Sequence, residues 1–219
     1  MRMIMAEALV QLMTWLSPSF PTGGFAYSHG LEWAVEAGAV ADGPALRTWL
    51  EAALVAGAAR NDAILLRHAY RSHAYRGDDE AVLAEIAQAL APSRELAAET
   101  MQQGAAFGLA SAPWNEAAAP SRAYPLAVGR LAAHRGIDEE MVVLAYLQAW
   151  VANFVSAGVR LIPLGQNAGL AVQAALEPVI IAQARASRDA PLTALGGFCV
   201  AAEIASMRHE TQYTRLFRS

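Results

Sequence analysis

The sequence predicts an all-α fold: a single compact domain of about eight to ten helices spanning residues 1–219. Alanine and leucine dominate nearly every segment, and β-branched residues are scattered. No segment alternates apolar and polar residues with the period of two that half-buried strands show. The 219 residues are 55% apolar, which is enough to bury a core without a disulfide or a structural metal.

The individual helices are predicted from capping residues, prolines and glycines. Ser28, Asp42, Ser93 and Asp138 are candidate N-caps, and the acidic residues of the 76–79 turn suit another helix start. The predicted helices run, in order, over 4–16, 28–38, 42 to beyond 70 with a possible break near Gly57, 79–91, 93–110, one ending at Gly136, 138–162, one from 166 with a break or kink at Pro178, and a last one from about 191 to 207. Residues 111–125, with three prolines, are predicted to form the longest loop.

The charge content is low for a protein of this size. Charged residues make up 16% of the chain, the net charge is −4 and the mean hydropathy is +0.26. So few charges cannot solvate every outer face, so a membrane or a protein partner is expected to cover part of the surface. The acidic balance gives no basic face for nucleic acid. All sixteen basic residues are arginines, which we attribute to codon bias.

The sequence favours a protein partner over a membrane. The N-terminus has an arginine and a glutamate but no small-residue cleavage site, which is not typical of a signal peptide. The uncharged stretch 141–159 is long enough to span a bilayer. Its three polar side chains indicate a buried core helix instead. With a single cysteine, Cys199, the chain is predicted to be cytoplasmic.

No motif predicts a catalytic, metal or cofactor site. The chain has no HExxH, no P-loop lysine and no GxSxG element, and His68 and His73, five residues apart, do not share a helix face. The residues alone therefore predict no intrinsic metal, cofactor or catalytic site. One alternative stays open: a helical metal-dependent hydrolase in which folding brings His29, His68, His73 and acidic residues together.

Three dense segments remain as candidate functional elements. The first, 17–32, is a proline- and glycine-rich loop carrying Phe20, Phe25 and Tyr27, which either plug the core or contact a partner. The second, 155–166, has small residues suited to close helix packing and a lone charge, Arg160, expected to need a carboxylate or a helix C-terminus.

The third segment is the C-terminal tail, about 206–219. It combines arginines with Tyr213, Leu216 and Phe217, and arginine and tyrosine are frequent hot-spot residues in protein interfaces. His209 and Glu210 are neighbours in sequence and are expected to point to different faces. We interpret the tail as a partner-binding element.

Together the three segments resemble the UreF family of urease accessory proteins. The family elements SPxxPxGxFxYSxGLE, VRLxPLGQ and SxRHExxYxRLFRS read here as 17–32, 159–166 and 206–219, in the same order and at the same spacing over essentially the whole chain. One departure is 167–169, Asn-Ala-Gly, where family members often have an acidic residue in the middle. Any role for an acid at that position is therefore in doubt.

The resemblance implies a non-enzymatic nickel-urease maturation factor without a cofactor, which forms homodimers, binds the accessory protein UreD (UreH in some organisms) and recruits the GTPase UreG. In that family UreG carries nickel to apo-urease. The resemblance also implies which residues bind partners. Those of the tail are Tyr213 and Arg215 first, then Arg208, His209, Glu210, Leu216 and Phe217, and those of the N-terminal loop are Phe25, Tyr27 and His29.

Overall fold

The computed structural model describes residues 5–75, 77–115 and 122–219, and within these ranges the chain is helical and contains no β-strand. Short 3₁₀ helices lie at Gly24–Ala26, Ala112–Trp114 and Leu192–Ala194. The α-helices are α1 (Met5–Trp15), α2 (Leu31–Glu36), α3 (Gly43–Ala56), α4 (Ala58–Tyr75), α5 (Glu80–Ala89), α6 (Arg94–Ala110), α7 (Tyr124–His134), α8 (Glu139–Leu161), α9 (Gln166–Ala186) and α10 (Val200–His209). The predicted all-α class is confirmed.

Side-chain caps set several helix starts as predicted. Asp42 accepts a hydrogen bond from the Ala45 amide at 2.8 Å, and Ser93 and Asp138 cap α6 and α8 in the same way. The expected break near Gly57 separates α3 from α4. Each of these boundaries depends on contacts within a few residues, which is why the sequence predicted them.

Other boundaries differ from the prediction. Gly30, at a φ of 75°, takes the N-cap position of α2, while Ser28 Oγ accepts from the Glu32 amide at 3.3 Å. Helix α7 begins at Tyr124, so the first helical turn includes Pro125, which was assigned to the loop. Helix α9 is not broken at Pro178, because packing against α8 and α3 holds both halves in one helix. Ile4, Arg76 and the 116–121 part of the predicted loop lie outside the described residues.

Helix α8 runs through the core and packs against α9, α4, α3 and α7. Small residues permit the close approach that the sequence predicts for this segment. A Cβ on Gly158 would lie 2.5 Å from Leu46 Cδ2, so α3 and α8 could not pack as closely around any larger residue. Among the described residues α8 is also the helix long and apolar enough to cross a membrane, but half of its most apolar window is buried inside the protein, as in a core helix.

One buried arginine ties three helices together. The side chain of Arg67, on α4, is 2% exposed and lies 2.7 Å from carboxylate oxygens of both Glu139 and Glu140 at the start of α8. Its Nε donates to Ser187 Oγ at the end of α9, at 3.0 Å. The buried charge is tolerated because two carboxylates, a hydroxyl and the Ala184 carbonyl accept hydrogen bonds from it.

The position of α10 prepares the candidate site. Helix α10 packs against α2 and α6, so the residues that follow it return to the beginning of the chain. Gly30 allows this contact: its φ is 75°, and a Cβ would lie 2.4 Å from the Ser206 amide nitrogen. The two chain segments therefore touch backbone to backbone.

Candidate functional site

The three segments singled out in the sequence meet in one place, which we call the junction: residues 24–32, 153–160 and 205–219. The tail lies alongside the N-terminal loop. The Arg218 amide donates to the Ala26 carbonyl, and the Ser28 amide donates to the Ser219 carbonyl, both at 2.8 Å. Ser28 Oγ donates to the same carbonyl. The tail is therefore held by backbone hydrogen bonds to residues nearly the whole chain away.

Glu32 is the main acceptor for the tail. Its side chain is buried on α2, where Oε1 accepts from the Leu216 amide at 2.6 Å and Oε2 from the Phe217 amide at 2.9 Å. Oε2 also lies 3.1 Å from His209 Nε2. One carboxylate thus fixes the tail backbone and the end of α10, and carboxylate acceptors make stronger hydrogen bonds than neutral ones.

His209 joins this carboxylate to a second one on α6. The imidazole is fully buried, and its Nδ1 lies 2.7 Å from Glu95 Oε2. Glu95 Oε1 in turn accepts from the Arg215 guanidinium at 2.6 Å. His209 thus bridges a carboxylate on α2 and a carboxylate on α6.

Glu210 binds a different partner from its neighbour, as the sequence analysis expected. Its carboxylate accepts from the Arg94 amide at 2.7 Å, at the first residue of α6. Slight burial opposes ionisation, but the hydrogen bonds from Arg94 outweigh it and lower the pKa of Glu210. Glu210 therefore also fastens the tail to α6.

A third buried carboxylate, Glu99, connects the tail to the N-terminal loop. It accepts from Ser219 Oγ at 2.6 Å and from Gln103 Nε2 at 2.7 Å, and it lies 2.9 Å from His29 Nε2. Burial lowers the pKa of His29, but the charge and hydrogen bond of Glu99 outweigh it, so the pKa is raised. His29 has a φ of 52°, an uncommon conformation for a residue other than glycine.

Arg160 contributes the contact from α8. Its guanidinium donates to the Phe25 carbonyl at 2.9 Å and to the Ser156 carbonyl in the last turn of α8 at 3.3 Å. Its Cζ lies 4.4 Å from the centre of the Phe217 ring, in a cation–π arrangement. Of the two expected partners, Arg160 therefore has the helix C-terminus, and within the described part of the chain it forms no ion pair with a carboxylate.

The aromatic residues of the loop divide between the two roles left open by the sequence. Phe20 lies in the core against Phe107 and Trp114, and buried Tyr27 donates to Gln102 Oε1 at 2.9 Å. Phe25 is 65% exposed. Only Phe25 of these three is therefore placed to contact another molecule.

The residues that the resemblance assigns to partner binding divide in the same way. Tyr213 is fully exposed and Leu216 is 66% exposed, and Arg208, Arg215 and Phe25 also face solvent. The others are less exposed: Glu210 and His29 are buried in part, and Tyr27, His209 and Phe217 almost wholly. The structure brings all of them to the junction, where some form its exposed surface and the others are buried beneath that surface.

Sequence reasoning missed the acceptors Glu32, Glu95 and Glu99. A signal was available, because buried histidines and interface arginines need partners, and Glu95 and Glu99 are spaced to share one face of α6. The remaining histidines have separate partners: His68 lies 2.5 Å from Asp78, and His73 packs edge-on against the His134 ring. Among the described residues no group of three or more His, Cys, Asp or Glu side chains could hold a metal ion.

Fold and junction together define an all-helical protein whose C-terminal segment is fixed to its N-terminal loop by buried carboxylates. The family model of UreF matches residues 40–177. Urease accessory protein UreF of Cereibacter sphaeroides strain KD131 is 48% identical over 98% of this chain and all of its own length. The proteins of that name from Rhodopseudomonas palustris strain BisB5 and Bradyrhizobium sp. strain BTAi1 are 50% and 49% identical, over 98% and 97% of this chain and 92% of their own lengths. The chain belongs to the UreF family.

Proposed function

We propose that this chain is a non-enzymatic scaffold for urease maturation in the cytoplasm, which binds UreD (UreH), recruits the GTPase UreG and so supports nickel delivery to apo-urease. It would do so as a homodimer. Membership of a family named for urease accessory proteins supports the general role. The partners are inferred from the resemblance and from the surface described next.

The observation that carries the proposal is the apolar face of α10, continued by the tail. Val200, Ile204 and Met207 are spaced along one side of the helix and are 57%, 47% and 50% exposed. The opposite side, with Ala205 and His209, is buried. A row of exposed apolar side chains on a helix is typical of a surface that another protein covers.

The tail presents a second, more polar part of this surface. Tyr213 and Leu216 are exposed while Phe217 is buried, and the hydrogen bonds from the Leu216 and Phe217 amides to Glu32 fix the backbone of this part of the tail. Arg215 is anchored by Glu95 with 40% of its side chain exposed. An arginine side chain that is already anchored binds at a smaller entropic cost than a flexible one, and tyrosine and arginine are frequent hot-spot residues. We assign the α10 face to UreD and the tail to recruitment of UreG.

The hydrolase alternative receives less support. It requires His29, His68, His73 and acidic residues to converge, whereas these histidines have three different sets of neighbours. A scaffold needs no such convergence. Metal analysis of the purified chain after gel filtration, together with turnover assays without partners, separates the two functions.

Co-expression with UreD, UreG and apo-urease tests the scaffold directly. We expect Ile204→Glu to prevent co-purification of UreD. We expect the double variant Tyr213→Ala, Arg215→Ala to lose UreG and to retain UreD. Val82→Glu, at an equally exposed apolar position of α5, is the matched control for the first variant. Full assembly and urease activation by both variants would refute the assignment.

A further inference from the structure

A cavity of about 180 Å³ lies between the N-terminal loop and helices α4, α6 and α8. Its lining reaches the exposed residues Pro18 and Phe25, so it opens to the surface beside the junction. Neither the hydrogen bonds that hold the tail nor the α10 surface explains it. Its chemistry indicates what it could bind.

The polar group that distinguishes this cavity is the Asp62 carboxylate. Tyr146 donates to its Oδ2 at 2.8 Å. Burial raises the pKa of Asp62 to about 6, and among the described residues the positive charge that opposes this rise is that of His29. His29 itself is committed to Glu99 at 2.9 Å. Asp62 thus carries a negative charge that the described chain compensates only in part.

The other walls are aromatic. Trp150 and Phe154 pack with ring centroids 4.3 Å apart, and the His29 ring lies 4.6 Å from Phe154. Aromatic faces attract cations, and they attract planar organic cations in particular. The described residues form no cluster with metal-ligand geometry, so a metal ion does not fit this combination of walls.

We propose that this cavity receives the side chain of an arginine supplied by a protein partner that packs over Phe25. A guanidinium group would meet the Asp62 carboxylate at its end, while its alkyl stem and flat face would lie against the aromatic wall. Phe25 lies at the opening and is 65% exposed. Its carbonyl accepts from Arg160, and the same guanidinium lies against the Phe217 ring of the tail. Phe25 therefore continues the interface assigned to the tail. The inference rests on the proposed function only for the identity of the partner, UreD or UreG.

Titration with small probes tests the chemistry of the cavity without any partner. Butylguanidinium is the probe, and butylurea is its neutral control of the same shape. We expect calorimetry and NMR shifts at the cavity residues to show binding of butylguanidinium alone. Asp62→Asn should weaken that binding roughly thirtyfold, because the cation would lose its buried counter-charge. Asp189→Asn, the same change in an exposed loop, should leave it unchanged.

Several results would overturn the inference. These are equal binding of butylurea, insensitivity of butylguanidinium binding to Asp62→Asn, and binding of Ni²⁺ in place of the organic cation. Misfolding does not confuse the test, because Asp62→Asn removes a partly compensated buried charge and is expected to unfold at no lower temperature than the wild type.

Assembly with UreD and UreG then tests the source of the arginine. We expect the Asp62→Asn chain to capture one of them at least tenfold more weakly than the Asp189→Asn chain does. Equal capture by both variants would overturn the inference and leave the proposed function intact. Failure of the wild-type chain to capture either protein would refute the proposed function and the partner named here, while the probe titration still decides the cavity chemistry.

Discussion

Replacing Glu32 by glutamine should release the tail from the junction. The carboxylate accepts from the amides of Leu216 and Phe217 and faces His209. A glutamine can keep one acceptor oxygen, but its NH₂ group would face a donor in place of the other. A hydrogen bond to a charged acceptor is worth about 1.5–3 kcal/mol, so the loss of one and the weakening of another amount to about 3 kcal/mol.

This loss should appear as local opening of the tail. A change of about 3 kcal/mol corresponds to roughly a hundredfold increase in the open population, since each tenfold step is about 1.4 kcal/mol. Native-state hydrogen exchange at the amides of Leu216 and Phe217 should accelerate by that factor, while amides in the middle of α8 keep their protection.

Glu85→Gln is the matched control, because Glu85 lies on α5 and is exposed. It should change neither the exchange rates of the tail nor the unfolding temperature. Unchanged protection at Leu216 and Phe217 in the Glu32→Gln chain would refute the assignment of Glu32 as the main acceptor for the tail.

Three further predictions concern stability. Gly30→Ala should lower the free energy of unfolding by more than about 2 kcal/mol in urea titrations, because its Cβ would meet the Ser206 backbone. Gly38→Ala, also at a φ of 75° but in open space, should lower it by only about 1 kcal/mol. Equal losses in the two variants would contradict this account. Arg67→Met should cost about 1.5–3 kcal/mol by the same measurement, because it removes hydrogen bonds to Glu139 and Glu140, which each keep a second arginine; no measurable loss would contradict this account. The raised pKa of Asp62 means that its protonation stabilises the folded chain by about 3 kcal/mol below pH 4, a contribution that is lost as the pH rises through about 6. Asp62→Asn should therefore raise the unfolding temperature at pH 8 more than at pH 4, and a pH-independent difference would contradict the assignment.

The parts of the fold that the sequence predicted depend on local chemistry. Asp42, Ser93 and Asp138 start helices through hydrogen bonds to amides two or three residues away, so their effect can be read from neighbouring residues. The continuation of α9 through Pro178 could not be predicted in this way. It depends on packing against helices that are distant in sequence, and that packing outweighs the lost hydrogen bond.

The candidate site was predicted as a set of segments but not as an arrangement. The tail and the N-terminal loop were both singled out, yet nothing in either segment showed that Ser219 would bind Ser28. The division of roles also escaped prediction, because exposure of Phe25 and burial of Tyr27, two residues apart, are decided by neighbours from α6 and α8. The role of Glu99 as an acceptor was not predicted, because its three contacts come from distant parts of the chain or from within its own helix.

The pairing of Ser28 with Ser219 also imposes an order on events during synthesis. Residues 26–32 and 93–103 leave the ribosome well before residues 209–219 exist, and chains are made at about 5–20 residues per second. For several seconds Glu32, Glu95 and Glu99 therefore face water and not the tail. The hydrogen bonds from the tail to these three carboxylates are therefore among the last contacts of the fold to form, and the junction closes only after synthesis of residues 209–219.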